Sequence, residues 1–159
     1  MVIRAIKKSD NPAVARVVRQ VLEDLGVPKV GTAYADKALD MMFENYQNPQ
    51  SEYFVLEENG QILGCAGIAP LDNYEGSVCE LQKMYFLEAA RGKGFGEKMI
   101  QVCLEQARSF GFSQCYLETM PYMEAAQKLY KKSGFRYLDG PMGDTGHYAC
   151  PVHMILDLQ

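Results

Sequence analysis

The sequence predicts a mixed α/β fold in a single domain covering residues 1–159. Three observations carry that expectation. Apolar residues recur at helical spacing in separated stretches of the chain. Strand-like runs lie between these stretches, and two of them are joined by Asn59-Gly60, a strong hairpin signal. In the middle of the chain a strand, a glycine-rich loop, a helix and another strand follow in succession. A length of 159 residues fits one domain. A chain of this size buries roughly 68–70% of its unfolded surface, enough for a core without covalent staples.

Taken in order, a short strand over 2–6 leads to a helix starting near Asp10 or Asn11, where Pro12 suits the first turn. Val14, Val17, Val18, Val21, Leu22 and Leu25 form its apolar stripe, and Gly26 ends it. A weaker helical pattern covers 33–46. Strands follow at 52–57 and 61–69, then at 78–86. A second clear helix carries Met99, Ile100, Cys103, Leu104, Ala107 and Phe110 and closes at Gly111. After a strand at 115–118, Pro121 opens a helix with Tyr122, Ala125, Ala126, Leu129 and Tyr130 on one face, ended by Gly134. Strands over 135–138 and 147–156 finish the chain. Pro151 within the last one requires an edge position or a bulge.

Composition removes several classes of function. Apolar residues make up 48% and charged residues 23%, which excludes disorder. Sixteen basic against twenty acidic residues give a net charge of −4, the wrong sign for a nucleic-acid partner. No run of about 18 apolar residues suggests a membrane span. The first residues, MVIRAIKKSD, lack a signal peptide's apolar run, so a cytoplasmic location is expected. Five widely spaced cysteines without a CxxC pair read as free buried thiols rather than disulfides or a metal site.

The chemistry concentrates in Arg91-Gly92-Lys93-Gly94-Phe95-Gly96, after a strand and at the start of a helix. Alternating glycines leave backbone N–H groups open to an anion, and a helix N-terminus adds its own unsatisfied N–H groups. Arg91 and Lys93 add positive charge, so phosphate is the natural ligand. Glu97 stands where a dinucleotide loop needs its third glycine, and Leu87 where a P-loop needs its first. The competing reading is a helix start packed so closely on a neighbour that only glycine fits.

The run from Glu80 to Gly96, ELQKMYFLEAARGKGFG, resembles the acetyl-CoA-binding motif of the GNAT N-acetyltransferases, with Arg91, Gly94 and Gly96 on its [RQ]-x-x-G-x-[GA] signature. The run from Leu117 to Phe135 is similar to that family's second motif, ending A-x-x-L-Y-x-K-x-G-F. The resemblance implies a mixed, mostly antiparallel central sheet flanked by about four helices. It also implies direct acetyl transfer from acetyl-CoA to an amine. The pyrophosphate would lie on the amides of Gly92 to Gly96, the pantetheine arm along the backbone of Met84 and Phe86.

On the same resemblance, Tyr130 would protonate the departing thiolate; its ordinary pKa near 10 is close to a thiol's. As a residue of an apolar stripe it also reads as a core aromatic. Glu80, eleven residues before Arg91, is the candidate base, with a salt-bridged strand glutamate as the alternative; Glu118 is a second candidate. Positioning alone is a further route. His147, beside GPMGDTGH, and His153 read first as structural residues, and the nine methionines as core filling. Met123 stands where many members carry a CoA-contacting Asn. The expected acceptor is the primary amine of a small molecule or amino acid-like metabolite, with a homodimer in keeping with the family; a protein or peptide acceptor and a non-catalytic acyl-CoA-binding module are the alternatives.

Overall fold

The computed structural model describes residues 1–30, 33–146 and 149–159. Its strands are β1 (Val2–Ala5), β2 (Glu52–Glu58), β3 (Gln61–Pro70), β4 (Val78–Phe86), β5 (Gln114–Thr119), β6 (Arg136–Leu138) and β7 (Val152–Asp157). Its helices are α1 (Asn11–Asp24), α2 (Met42–Asn45), α3 (Phe95–Ser109) and α4 (Glu124–Lys132). The strands form one seven-stranded sheet in the order β1-β2-β3-β4-β5-β7-β6. Every neighbouring pair is antiparallel except β4 and β5. The mixed, mostly antiparallel sheet with four helices is thus borne out.

Strand alternation divides the core into two layers. Cys79, Leu81, Met84 and Phe86 of β4 pack with the α3 stripe Met99, Ile100, Cys103, Leu104 and Ala107. On the other face, Tyr53, Val55 and Cys65 meet Val14, Val17, Val18 and Leu22 of α1, with Leu39 and Met42 below. Polar ties hold α1 to the segment that follows. Asn11 accepts from the Phe43 N–H at 2.8 Å and donates to Glu44 at 2.6 Å, and Arg19 pairs with Asp40 at 2.7 Å.

Three elements depart from the sequence reading. The 33–46 stretch is mostly 3-10 turns (Ala33–Ala35 and Lys37–Met41) with a single α turn in α2. The buried residues Leu39 and Met42 are three apart, a spacing that serves a 3-10 helix as well as an α-helix. The helix after Pro121 begins only at Glu124, because a tight turn closed by Met123 N–H to Met120 O at 3.1 Å comes first. Tyr122 therefore lies outside α4 and is exposed. Pro151 precedes β7 instead of standing within it. β7 bonds to β5 on one side and β6 on the other, so a residue without an N–H stops at its entrance. The part of the last strand expected at 147–148, including His147, lies outside the described residues.

All five cysteines are free thiols, four of them buried. Among the described residues no helix is long and apolar enough to cross a membrane, and no His/Cys/Asp/Glu group could hold a metal ion.

Candidate active site

The site originates where β4 and β5 part. They pair only from Val78 to Glu80 against Gln114 to Tyr116, after which β4 continues to Phe86 and β5 to Thr119. β4 keeps its partner on the other side, β3, through a bulge. Cys65 lies opposite Tyr85 and Gly67 opposite Gln82, so Lys83 and Met84 together face the single residue Ala66. Lys83 takes a φ of 48°, left-handed and unusual for a side chain with a Cβ. Leu87 N–H donates to Leu63 O on β3 at 2.8 Å. By alternation from Leu87, the backbone groups of Phe86 turn away from β3 into the gap, and Met84 belongs to the bulge just before it. The Phe86 carbonyl already accepts from Arg91 Nε at 2.9 Å, which ties the start of the glycine loop to the strand end.

A cavity of about 560 Å³ fills the gap. Met84, Phe86, Arg91, Gly92, Gly94, Phe95 and Gly96 line it, and so do Glu80, Glu118 and Tyr130. Lys93 is exposed and stands outside this lining. The two readings of the glycine loop divide by residue. Gly92 and Gly94 have φ of 73° and 83°, and a Cβ at either would meet nothing within 4 Å, so their backbone faces open space. At Gly96 a Cβ would stand 2.6 Å from Leu129 Cδ2, so here glycine lets α3 approach α4. The first helical bond of α3 runs from Lys98 N–H to Gly94 O at 3.2 Å, leaving the amides of Phe95, Gly96 and Glu97 ahead of helical pairing.

Tyr130 is 7% exposed and packs edge-on against Phe135, with ring centroids 6.0 Å apart. Among the described residues its hydroxyl has no hydrogen-bond partner, yet no buried side-chain oxygen lacks one, so the hydroxyl meets the cavity. Burial pushes its pKa up, which keeps it protonated. Glu80, 3% exposed, accepts from Gln82 Nε2 at 2.7 Å, and the Gln82 carbonyl oxygen accepts from the Tyr46 hydroxyl. Both Glu118 oxygens are engaged, by the Tyr116 hydroxyl at 2.8 Å and the Thr145 hydroxyl at 2.5 Å. Lys83 turns its ammonium to Asp36 at 2.9 Å, while its carbonyl accepts from the Tyr53 hydroxyl at 2.8 Å.

Of the sequence candidates, the cavity therefore brings together all but Lys93. His153 stacks on Tyr116 at 6.3 Å, in keeping with a structural role. The sequence reading did not single out Gln82, Tyr46, Lys83 or Asp36. Gln82 follows Glu80 by two strand positions, a period-2 signal for a shared face. The bulge that turns Lys83 leaves no such mark.

Residues 19–135 match the acetyltransferase (GNAT) family. The chain is 45% identical over 158 residues to the uncharacterized N-acetyltransferase YjgM of Escherichia coli (strain K12), covering 99% of this chain and 95% of that one. Its fold matches an acetyltransferase of the GNAT family from Staphylococcus aureus Mu50 with a TM-score of 0.87 at 19% identity, over 99% of both chains. It also matches yncA from Salmonella typhimurium, solved with its cofactor acetyl-CoA. There the TM-score is 0.79 at 22% identity, over 100% of this chain and 94% of the other. The chain belongs to the GNAT family of acetyltransferases.

Proposed function

We propose that this protein transfers an acetyl group from acetyl-CoA directly to the primary amine of a small molecule. The observation that carries this reading is one cavity joining the open Gly92–Gly94 backbone to a buried glutamate across the parting of β4 and β5. The residues suit the donor. An anion on Gly92 and Gly94 would meet backbone rather than Cβ atoms, and the leading amides of α3 and the Arg91 guanidinium supply donors and positive charge. The backbone of Met84 and the Phe86 N–H offer strand-edge pairing to an extended arm. Bound there, acetyl-CoA supplies a thioester whose acyl carbon takes the amine nitrogen and whose sulfur departs.

An acceptor ammonium loses two protons on becoming an amide. Glu80 would receive one at its carboxylate, directly or through water, held in place by Gln82 Nε2. Glu118, whose two oxygens accept from the Tyr116 and Thr145 hydroxyls, is the second candidate for this role. The Tyr130 Oη would give a proton to the departing sulfur, matching the second proton lost by nitrogen. Burial makes Tyr130 a weaker acid, but a thiolate formed in the same dry site is raised too, so the two acidities stay comparable.

The test is acetyl-CoA-dependent formation of an N-acetyl product, followed by mass, alongside thiol release across a set of primary amines. Thiol release matched by N-acetyl product supports the reading. Acetyl-CoA binding without transfer to any amine, peptide or protein would leave only an acyl-CoA-binding module.

A further inference from the structure

Tyr46 caps the C-terminus of α2 and is only 5% exposed. Its ring packs on Tyr53, with centroids 4.8 Å apart, within the apolar layer that α1 covers, where a phenylalanine would fill the same space. A buried hydroxyl costs free energy unless it is bonded, so its partner is informative. Among the described residues that partner is the Gln82 carbonyl oxygen alone. Tyr46 does not line the cavity, whereas Gln82 and Glu80 both do. The hydroxyl therefore reaches the site through one intermediate side chain.

The direction of each bond in this chain is fixed. A glutamine amide can present either its oxygen or its NH2 to a neighbour, and the surrounding network decides which. Burial holds the Tyr46 phenol far above its ordinary pKa, so it keeps its proton and needs an acceptor. With Gln82 Oε1 accepting that proton, Nε2 points to Glu80 and donates to its Oε1 at 2.7 Å. Turned over, the amide would set its oxygen against the carboxylate and leave the buried phenol proton with no acceptor among the described residues, which is costly. A bond donated to the carboxylate favours its ionised form, the form able to take a proton.

We infer that Tyr46 is a positioning residue for acetyl transfer: from outside the cavity it sets the Gln82 amide so that Nε2, not Oε1, faces the Glu80 carboxylate. This rests on the reading of Glu80 as the base and adds a residue that lines no part of the cavity. Further contacts of the carboxylate leave this direction unchanged, since it is set on the far side of Gln82. Once Glu80 has taken a proton, the same orientation offers that proton no acceptor at Gln82, which favours its release before the next turnover.

The experiment measures kcat and the acetyl-CoA KM from thiol release, with the fastest acceptor among benzylamine, L-lysine, L-phenylalaninamide and spermidine as the probe. Tyr46→Phe should lower kcat roughly tenfold and leave the acetyl-CoA KM within about twofold, a split that general loosening of the site would not give. Added to Gln82→Leu or to Glu80→Gln, the same substitution should cost under about twofold, because it acts only through those residues. Tyr53→Phe removes the neighbouring hydroxyl of the stacked pair and should leave kcat within about twofold. Gln82→Leu, at a half-buried position on the cavity, should lower kcat at least as far as Tyr46→Phe and tests the link even where a melting curve shows that Tyr46→Phe folds poorly. Wild-type kcat in Tyr46→Phe or in Gln82→Leu, full additivity with Glu80→Gln, or an equal fall in Tyr53→Phe overturns the inference. Glu80→Gln at wild-type kcat defeats the base reading itself, and acetyl-CoA binding with no amine turned over defeats the transfer reading. Either takes this inference with it and is told apart from a failure at Tyr46 alone.

Discussion

Replacing Tyr130 by Phe separates catalysis from stability, because the hydroxyl does so little structurally. Among the described residues it has no partner to lose, and the edge-on contact with Phe135 survives the change. A hydrogen bond is worth about 0.5–1.5 kcal/mol net, and here none is removed, so stability should stay within about 0.5 kcal/mol of wild type. Thermal unfolding would then move by no more than about 2 °C. The reaction should suffer far more. Loss of a positioned general acid lowers rates by roughly 10²–10⁴-fold, at least about 2.7 kcal/mol of transition-state stabilisation. The assay is kcat from thiol release at saturating acetyl-CoA with an acceptor amine, beside a melting curve of the same preparation. Tyr53→Phe is the contrasting control. Its hydroxyl holds the Lys83 carbonyl at 2.8 Å, so it should lose about 1 kcal/mol and 2–4 °C. Tyr130→Phe with wild-type kcat would refute the proton-donor role, and a fall in kcat matched by a large loss of stability would mean that the hydroxyl is structural.

Three further outcomes are expected. Acetyl-CoA at about 100 times its Kd should stabilise the protein by about 2.7 kcal/mol, a rise of roughly 5–11 °C that NADH and ATP do not reproduce; equal shifts from all three would point to a generic phosphate loop. Gly96→Ala should destabilise by about 1 kcal/mol through the 2.6 Å approach to Leu129, less what alanine's helix preference returns, and the loss should largely disappear in a Leu129→Ala background. Strict additivity in that double-mutant cycle, followed by urea unfolding, would exclude the contact. Stability should fall as pH rises above about 9. Burial holds the Cys65 thiol up at about 11 and pushes the phenols of Tyr85 and Tyr130 up, so the unfolded chain releases protons that the folded chain keeps. The Cys65 shift alone corresponds to about 3 kcal/mol, and Cys65→Ser should flatten the first part of the decline in a pH series of urea midpoints.

Local physics explains which parts of this fold are legible from the chain. The α1 and α3 stripes repeat at 3.6 residues over four turns, and every residue of the α3 stripe from Met99 to Ala107 is buried as that period requires. The Asn59-Gly60 turn follows from left-handed backbone preferences, and both residues do adopt positive φ. The stretch over 33–46 was harder to read because two or three buried residues do not distinguish a 3-10 turn from an α turn. Tyr122 falls outside the helix for a related reason: Pro121 marks a break but does not say how many residues elapse before the helix begins.

The same division runs through the site. Arg91 to Gly96 announce themselves by residue type and spacing, since a phosphate-binding loop needs particular chemistry close together in the chain, whereas Glu80 and Tyr130 stand out only through the motif resemblance. Strand period and glycine spacing do not encode where β4 leaves β5, and that divergence is what creates the cavity. It arises from the bulge opposite Ala66 and from the different partners each strand keeps, β3 for one and β7 for the other. The sequence alone also left open whether each glycine gives access or closeness. Gly92 and Gly94 face open space and Gly96 faces Leu129, a distinction that depends on α4, more than thirty residues away. Local order thus supplied the class of chemistry. The pairing of Lys83 with Asp36, 47 residues earlier, comes from long-range packing that no local pattern encodes.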